Sequence, residues 1–277
     1  MNPIARRVIT GVCLAAFWFC VIISQQAWLA FGALVVAVLL CHFEFAKMIE
    51  ARGIDTCRWS GAFAAVAYLF YCFAFPSTSF EILSLFVFLL FARLLFDPRV
   101  KKPLESAAFA VLSFIYLPFM LSFFLRIGQS GTLEAFSVTQ EGFYAVLYVV
   151  AITKATDVGG YAIGIPFGKH KMFPRISPNK SWEGLVGGLL FAALFSLFFC
   201  YIFHPEYTTK HFIGAAGVGA LIGSVGVVGD LIESMFKRSA EMKDSGGVFH
   251  GIGGLLDTVD SLIFTPAIFY LLLKVMQ

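Results

Sequence analysis

The sequence predicts an all-α, polytopic integral membrane protein, and three observations support this class. Hydrophobic residues make up 59% of the 277 residues and charged residues 13%, against about 45–50% and about 25% in soluble domains. Apolar runs recur at the length of about 20 residues that a bilayer-spanning helix needs. The alternation typical of a membrane β-barrel is absent, so helices remain as the way to satisfy the backbone in lipid. The same composition excludes a disordered chain, a collagen-like fibre and a secreted disulfide scaffold.

Hydropathy and helix-breaking residues predict about nine transmembrane helices. The first apolar run follows Arg6 and Arg7, and no small-x-small cleavage site comes after it, so we interpret it as a retained helix and not as a signal peptide. The predicted spans are residues 8–23, 27–45, 60–75, 81–96, 106–125, 143–164, 185–203, 212–236 and 256–275.

Basic residues indicate the orientation of these spans. Sixteen of the 20 Lys and Arg residues fall at alternate span ends, and an excess of this kind marks the cytoplasmic side. This predicts a cytoplasmic N-terminus and places the two longest polar connections, residues 165–184 and 237–255, in the cytoplasm. We therefore expect a multi-pass protein of the cell inner (cytoplasmic) membrane whose site faces the cytoplasm.

The character of the chain changes about halfway along. Residues 1–142 are mostly apolar, which predicts N-terminal transmembrane helices that serve in packing, dimerisation or lipid contact. Within them, Glu44 and Glu50 with Lys47 indicate an ordinary ion pair at a helix end. Residues 143–277 carry ionisable residues inside the spans, and charges at membrane depth are costly unless they are paired or functional. This half is the predicted catalytic region.

The connection 165–184 contains a first candidate feature. Residues 177–180, Ser-Pro-Asn-Lys, predict a helix start, because proline suits a first turn and Glu183 suits an early helical position. A helix N-terminus with a lysine beside it can bind phosphate. The pattern is also typical of a basic loop that touches lipid headgroups, and both interpretations stay open here.

A denser cluster of acids and glycines lies further along the chain. Asp230 and Glu233 are three residues apart, which places both on one face of a helix with Lys237 one turn on, and Asp257 and Asp260 repeat this spacing. Two carboxylate pairs in a membrane repel, and Mg²⁺ relieves the repulsion because it takes one or two carboxylates together with substrate phosphates. Glycines between the pairs let backbone amides approach a phosphate chain.

This combination favours phosphoryl or nucleotidyl transfer, in which metal carboxylates neutralise a diphosphate while lysine and arginine hold the developing charge. The alternative from another class is an ion-coupled membrane transporter, whose membrane acids bind protons or ions. A transporter predicts an inverted repeat between the two halves of the chain, and no repeat is seen in the sequence.

The second cluster resembles a known signature. Residues 234–261 read Ser-x2-Lys-Arg-x4-Lys-Asp-Ser-Gly-x4-Gly-x-Gly-Gly-x2-Asp-x2-Asp-Ser, which is similar to the signature of the phosphatidate cytidylyltransferase (CDP-diacylglycerol synthase) family. Asp157-x3-Tyr161, Phe167-Gly-Lys169 and residues 176–184 resemble that family's preceding block. The similarity covers residues 150–275.

Two positions depart from the family pattern. Ile252 and Thr258 stand where the family usually has a histidine and an arginine, and His250 lies two positions before the first of them. The glycines and both aspartates remain, so the resemblance still implies metal and phosphate binding. Whether Ile252 and Thr258 lower the rate is left open by the sequence.

The resemblance implies that the chain converts CTP and phosphatidic acid to CDP-diacylglycerol and pyrophosphate, with Mg²⁺ as the cofactor and a second, monovalent cation left open. The implied catalytic residues are Asp230, Lys237, Arg238, Lys243, Asp244, Asp257 and Asp260. The implied metal ligands among them are Asp230, Asp257 and Asp260. The implied substrate-binding residues are Asp157, Lys180, Ser234, Ser245, Gly246, Gly251, Gly253 and Gly254.

A second enzymatic alternative is a CTP-dependent lipid (polyprenol) kinase, which would also combine a nucleotide with a lipid. We expect the partners to be the two substrates and the lipid bilayer, with no nucleic acid. The sequence leaves a homodimer open.

Overall fold

The computed structural model describes residues 16–21, 23–76, 82–97, 100–130, 137–203, 209–242, 244–246 and 253–276. Nearly all of the secondary structure is helical, which confirms the predicted all-α class. The earlier elements are α1 (Ala27–Glu50), α2 (Arg58–Ala74), α3 (Ile82–Leu95), α4 (Pro103–Phe114), a π-helical turn (Ile115–Phe119) and α5 (Phe123–Gly128). The later elements are α6 (Gln140–Phe167), β1 (Lys171–Phe173), β2 (Ser177–Ser181), α7 (Trp182–Phe203), α8 (Thr209–Ser239), α9 (Leu256–Val259), a 3-10 turn (Asp260–Leu262) and α10 (Thr265–Met276).

Six helical stretches among the described residues are long and apolar enough to cross a membrane. They are Ala27–Glu50, Pro103–Gly128, Gln140–Phe167, Trp182–Phe203, Thr209–Ser239 and Leu256–Val275. Two further predicted spans, 60–75 and 81–96, coincide with the shorter helices α2 and α3. Most of the predicted span 8–23 lies outside the described residues. The count of nine spans therefore stays a prediction.

The chain folds as two compact units. The first comprises the described residues of Met1–Phe143 and of Ser239–Val259, and the second comprises those of Tyr144–Arg238 and Asp260–Gln277. Residues of the predicted connection 237–255 thus fall mainly in the first unit. The functional division predicted at residue 142 stays a prediction.

A buried histidine joins three helices of the first unit. His42 of α1 bonds through Nε2 to the carbonyl oxygen of Arg58 at 3.0 Å and through Nδ1 to the hydroxyl of Ser113 in α4 at 3.0 Å. Since a carbonyl oxygen only accepts, Nε2 carries the proton and Nδ1 accepts from Ser113. Gly61 leaves the space for this ring, because a Cβ there would come within 2.7 Å of it. The C-terminal half of α1 is thereby fixed against α2 and α4.

Small residues allow the helices of the second unit to approach closely, as membrane helices commonly do. A Cβ on Gly188 of α7 would lie 2.9 Å from the carbonyl oxygen of Thr156, and one on Gly223 of α8 would lie 2.7 Å from the Thr156 hydroxyl. Thr156 itself is buried and donates to the carbonyl oxygen of Ile152 one turn earlier in α6. Thus α6 presents one small polar side chain that both α7 and α8 pack against.

The structure corrects the predicted helix start at residues 177–180. These residues belong to β2, which pairs antiparallel with β1 so that Lys171 lies opposite Ser181, and the helix begins at Trp182. The Ser181 hydroxyl accepts a hydrogen bond from the amide of Gly184 at 3.2 Å, so serine and not proline defines the helix start. The hairpin holds Lys180 just before α7.

Candidate active site

In the second unit, Lys180 and Asp230 form an ion pair. Lys180 Nζ lies 2.7 Å from Asp230 Oδ2 and also donates to the carbonyl oxygen of Val227 at 3.2 Å. Ser234, one turn beyond Asp230 in α8, donates its hydroxyl to Asp230 Oδ1 at 3.3 Å. Three residues predicted for substrate or metal binding are therefore in one hydrogen-bonded group.

A second polar group of the same unit is built on α6. Lys154 Nζ donates to Asp157 Oδ2 at 3.1 Å and to the Ser261 hydroxyl at 3.0 Å. Ser261 in turn donates to Asp157 Oδ2 at 3.1 Å. Asp157 was predicted to bind substrate, whereas Lys154 and Ser261 were given no role. Both were visible in the sequence: Lys154 as a charge inside a span and Ser261 as the last residue of the signature.

Asp260 lies beside these groups with its side chain turned inward. The residue is 7% exposed, and its Oδ1 accepts from the amide of Ser261 at 2.6 Å. Its carbonyl oxygen lies so close to Gly229 of α8 that a Cβ there would come within 2.7 Å. The carboxylate interacts electrostatically with Asp230 and Lys154, so the two predicted metal ligands of this unit are near neighbours.

The basic residues at the end of α8 are held in place as well. Lys237 forms an ion pair with the buried carboxylate of Glu233 one turn earlier. The exposed Arg238 donates through Nε to the carbonyl oxygen of Ile176 at 3.3 Å, which ties α8 to the turn of the β-hairpin. Both residues were predicted to be catalytic, and Glu233 was predicted only as the partner of Asp230 in a carboxylate pair.

In the first unit, Asp257 organises the backbone of the signature. Its Oδ2 accepts from the amides of Ser245 at 3.1 Å and Gly254 at 2.8 Å. Gly253 has a φ of +104°, a conformation that L side chains rarely adopt, and a Cβ there would lie 2.6 Å from Asp257 Oδ2. The exposed Asp244 begins this segment. The oxygen anion that these amides bind is thus the chain's own carboxylate.

The remaining predicted site residues have mixed outcomes. Gly246 lies within the described residues, next to the carboxylate of Glu44. The sequence had indicated an ordinary ion pair for Glu44. Lys243 and Gly251 lie outside the described residues, as do His250 and Ile252.

The donor chemistry fits Mg²⁺, which prefers hard carboxylate oxygens and retains waters or substrate phosphates as further ligands. Within the described part of the chain, no group of three or more His, Cys, Asp or Glu side chains is close enough to hold a metal ion. A site that relies on one or two carboxylates together with a phosphate-bearing substrate satisfies both observations.

These features define a helical, multi-pass membrane protein that carries lysine–carboxylate groups in its second unit and a glycine-rich acidic segment in its first unit. A family model described as the cytidylyltransferase family matches residues 5–276. The chain therefore belongs to the cytidylyltransferase family and is a nucleotidyltransferase.

Individual relatives agree with this assignment. The chain is 28% identical over 280 residues to the phosphatidate cytidylyltransferase of Bacillus subtilis (strain 168), covering 99% of this chain and 98% of that one. It is 36% identical over 189 residues to the phosphatidate cytidylyltransferase of Chlamydia pneumoniae, covering 65% and 59%. It is also 30% identical over 258 residues to an Escherichia coli (strain K12) protein named Uncharacterized protein YnbB, covering 92% and 83%.

Proposed function

We propose that this protein transfers a cytidylyl group from CTP to phosphatidic acid and so produces CDP-diacylglycerol and pyrophosphate. The observation that carries the proposal is the family match over residues 5–276, because it spans both units of the chain. The relatives named phosphatidate cytidylyltransferase supply the lipid substrate of the proposal.

The proposed reaction balances without an added base. An oxygen of the phosphatidic acid phosphate forms a bond to the α-phosphorus of CTP, and the bond from that phosphorus to the bridging β-phosphate oxygen breaks. Pyrophosphate leaves with the electron pair. Since the nucleophile is already a phosphate anion, it needs little help from a general base, and Ile252 in place of the family histidine need not abolish the reaction.

Asp230 and Asp260, both in the second unit, are the proposed carboxylates for Mg²⁺. Asp257, in the first unit, keeps its sequence-based assignment as a metal ligand. When bound, Mg²⁺ would neutralise charge on the triphosphate and on the leaving pyrophosphate. Because Lys180 is paired with Asp230, a cation bound at Asp230 would compete for that carboxylate and free the ammonium group of Lys180 for a phosphate oxygen. The two groups of this 2.7 Å ion pair would thus take different partners: Asp230 a metal cation and Lys180 a phosphate oxygen.

The other cations have related proposed roles. Lys237 and Arg238, on the last turn of α8, would hold phosphate charge that develops during transfer. Asp157 would bind substrate together with Lys154, with which it forms an ion pair. Ser234 of the second unit and Ser245 and Gly253 of the first keep their sequence-based assignment to substrate binding, whereas the amide of Gly254 already donates to Asp257.

We further propose that the protein lies in the cell inner membrane with its N-terminus and its site on the cytoplasmic side. The support is the one-sided distribution of basic residues. CTP is a cytoplasmic nucleotide, so this orientation also gives the site access to its substrate. Crosslinking in intact membranes tests the homodimer that the sequence leaves open.

A labelled-nucleotide assay tests the function. Purified protein in detergent is given Mg²⁺, phosphatidic acid and CTP labelled with ³²P at either the α or the γ position. We expect label in the lipid fraction from α-labelled CTP alone. Lipid labelling from the γ position alone would instead establish a lipid kinase, and no labelling from either position would contradict the proposed function.

A further inference from the structure

Glu44 is a buried acid of α1 that the proposed reaction does not use. The residue is 1% exposed, and both carboxylate oxygens accept backbone hydrogen bonds from the signature segment. Oε1 accepts from the amide of Leu255 at 3.0 Å, and Oε2 accepts from that of Leu256 at 2.8 Å. The interpretation of Glu44 as part of an ordinary ion pair is therefore wrong; of that predicted group, Glu50 pairs with Arg58.

These bonds satisfy amides that would otherwise have no partner. Leu256 begins α9, and the first amides of a helix have no acceptor within it. A negative charge at such a position is favourable. The acceptor of the Leu256 amide lies 212 residues earlier in the chain. The N-terminal helices of this unit therefore contribute directly to the conformation of the signature segment.

Two signature glycines enclose the same carboxylate. A Cβ on Gly246 would lie 2.6 Å from Glu44 Oε1, and a Cβ on Gly254 would overlap both the Ser245 hydroxyl and Glu44 Oε2. The sequence explained these glycines by the approach of a phosphate chain. The structure gives a second reason for them, since a larger residue at Gly246 would displace Glu44 and one at Gly254 would displace Ser245 and Glu44.

Glu44 and Asp257 share the amides of this segment between them. Asp257 accepts from Ser245 and Gly254, while Glu44 accepts from the two amides that follow Gly254. The backbone directly before Asp257 is thus fixed on one side by Glu44 and on the other by Asp257 itself. Loss of Glu44 would leave two buried amides without acceptors and allow this backbone to move.

We propose that Glu44 is a positioning residue for the cytidylyl transfer: it holds the signature backbone so that Asp257 keeps a fixed orientation. This role rests on the proposed function, in which Asp257 is a metal ligand. Glu44 itself touches neither substrate in this account.

The test begins with Glu44→Gln in the full-length protein. A glutamine offers one oxygen, so one of the two amides loses its acceptor while the side-chain volume is kept. Substitutions next to metal ligands typically cost about 10–100-fold in activity or metal affinity. We expect a loss of that size in kcat/KM and a higher Mg²⁺ requirement for half-maximal activity, measured where the variant is fully folded. A merely structural role would leave the activity of the folded protein unchanged.

Hydrogen exchange provides a readout that does not depend on activity. Without nucleotide, Glu44→Gln should accelerate exchange in peptides that cover residues 253–258 and leave α7 unchanged. Glu50→Gln is the matched control, because it changes the same residue type on the same helix and should alter neither exchange nor activity. Unchanged exchange at 253–258 in Glu44→Gln would overturn the proposal.

A double-mutant cycle separates the two explanations of the glycines. If position 246 requires a glycine because the Glu44 carboxylate occupies the adjacent space, Gly246→Ala should lower the unfolding temperature much less in a Glu44→Ala background than in the wild type. An equal effect in both backgrounds would overturn this part of the proposal. If Glu44→Gln does not fold, Gly246→Ala alone keeps the test open, since it should displace the carboxylate and accelerate exchange at 253–258.

The two proposals fail in different ways. A wild-type protein that incorporates no label from α-labelled CTP overturns the proposed function. An active wild-type protein whose Glu44→Gln variant keeps full activity and normal Mg²⁺ dependence overturns the positioning role alone.

Discussion

Asp230→Asn and Lys180→Met each leave one charge of the Lys180–Asp230 pair without its ion partner. The two groups lie 2.7 Å apart; the side chain of Lys180 is 22% exposed and that of Asp230 is 31% exposed. The double variant removes both charges and leaves neither unpaired. Comparing the three variants therefore separates what the pair contributes to folding from what each charge contributes to the reaction.

The magnitudes follow from the geometry. A hydrogen bond to a charged group contributes about 1.5–3 kcal/mol, and partial exposure reduces this because water screens the charges, so each single variant should lose about 1–2 kcal/mol of unfolding free energy. The double variant should lose less than the sum of the two, since contacting residues are not additive. If both charges act on the substrate or metal, each variant should lose at least about a hundredfold in kcat/KM.

The assay pairs thermal unfolding in detergent with transfer of α-label from CTP to lipid. Lys274→Met is the control, because it removes a lysine from the last turn of α10, and it should keep its activity. We expect the double variant to regain stability but not activity. If the double variant regained wild-type activity together with stability, the pair would be purely structural and the assignment of Asp230 and Lys180 to the site would be wrong.

Three further predictions use the same two measurements. Gly229→Ala would place a Cβ 2.7 Å from the carbonyl oxygen of Asp260, so it should lower both stability and activity, whereas Gly217→Ala on the same helix meets nothing within 4 Å and should be neutral or stabilising; equal effects would refute the close packing. Ser261→Ala removes the hydroxyl that accepts from Lys154 and should cost about tenfold in activity; full activity would exclude this serine from the site. Chelation of divalent ions should abolish transfer, and added Mg²⁺ should restore it; activity that survives chelation would contradict the metal assignment.

The helices were predictable because their signal is local. The predicted span 185–203 corresponds to α7, Trp182–Phe203, and the span 212–236 to α8, Thr209–Ser239. In both cases a long, mainly apolar run predicts a helix without reference to any distant residue. The end of α7 agrees, and the other three ends differ by three residues because a hydropathy pattern does not include polar first and last turns, such as those with Glu183 or with Lys237 and Arg238.

The errors arose where the structure depends on distant partners. Residues 177–181 form a strand because they pair with β1, whereas the local pattern of proline followed by an acid resembles a helix start. Glu44 was misinterpreted for the same reason: Lys47 lies one turn away in the sequence, but the amides that Glu44 accepts from follow more than 200 residues later. The rule that an acid inside a span marks a site applied to Glu44 as well as to Asp157.

The glycines of the signature show why a motif does not by itself reveal what its residues contact. Gly246 and Gly254 border the carboxylate of Glu44, and Gly253 borders that of Asp257. Each glycine therefore makes room for a carboxylate of the protein itself, whether or not a substrate is bound. An acidic side chain from α1 and the glycines that accommodate it depend on each other, so a substitution at either would require a compensating change at the other. The segment before Asp257 is thus shaped from within the first unit, and a phosphate-bearing substrate would meet a backbone that two carboxylates have already ordered.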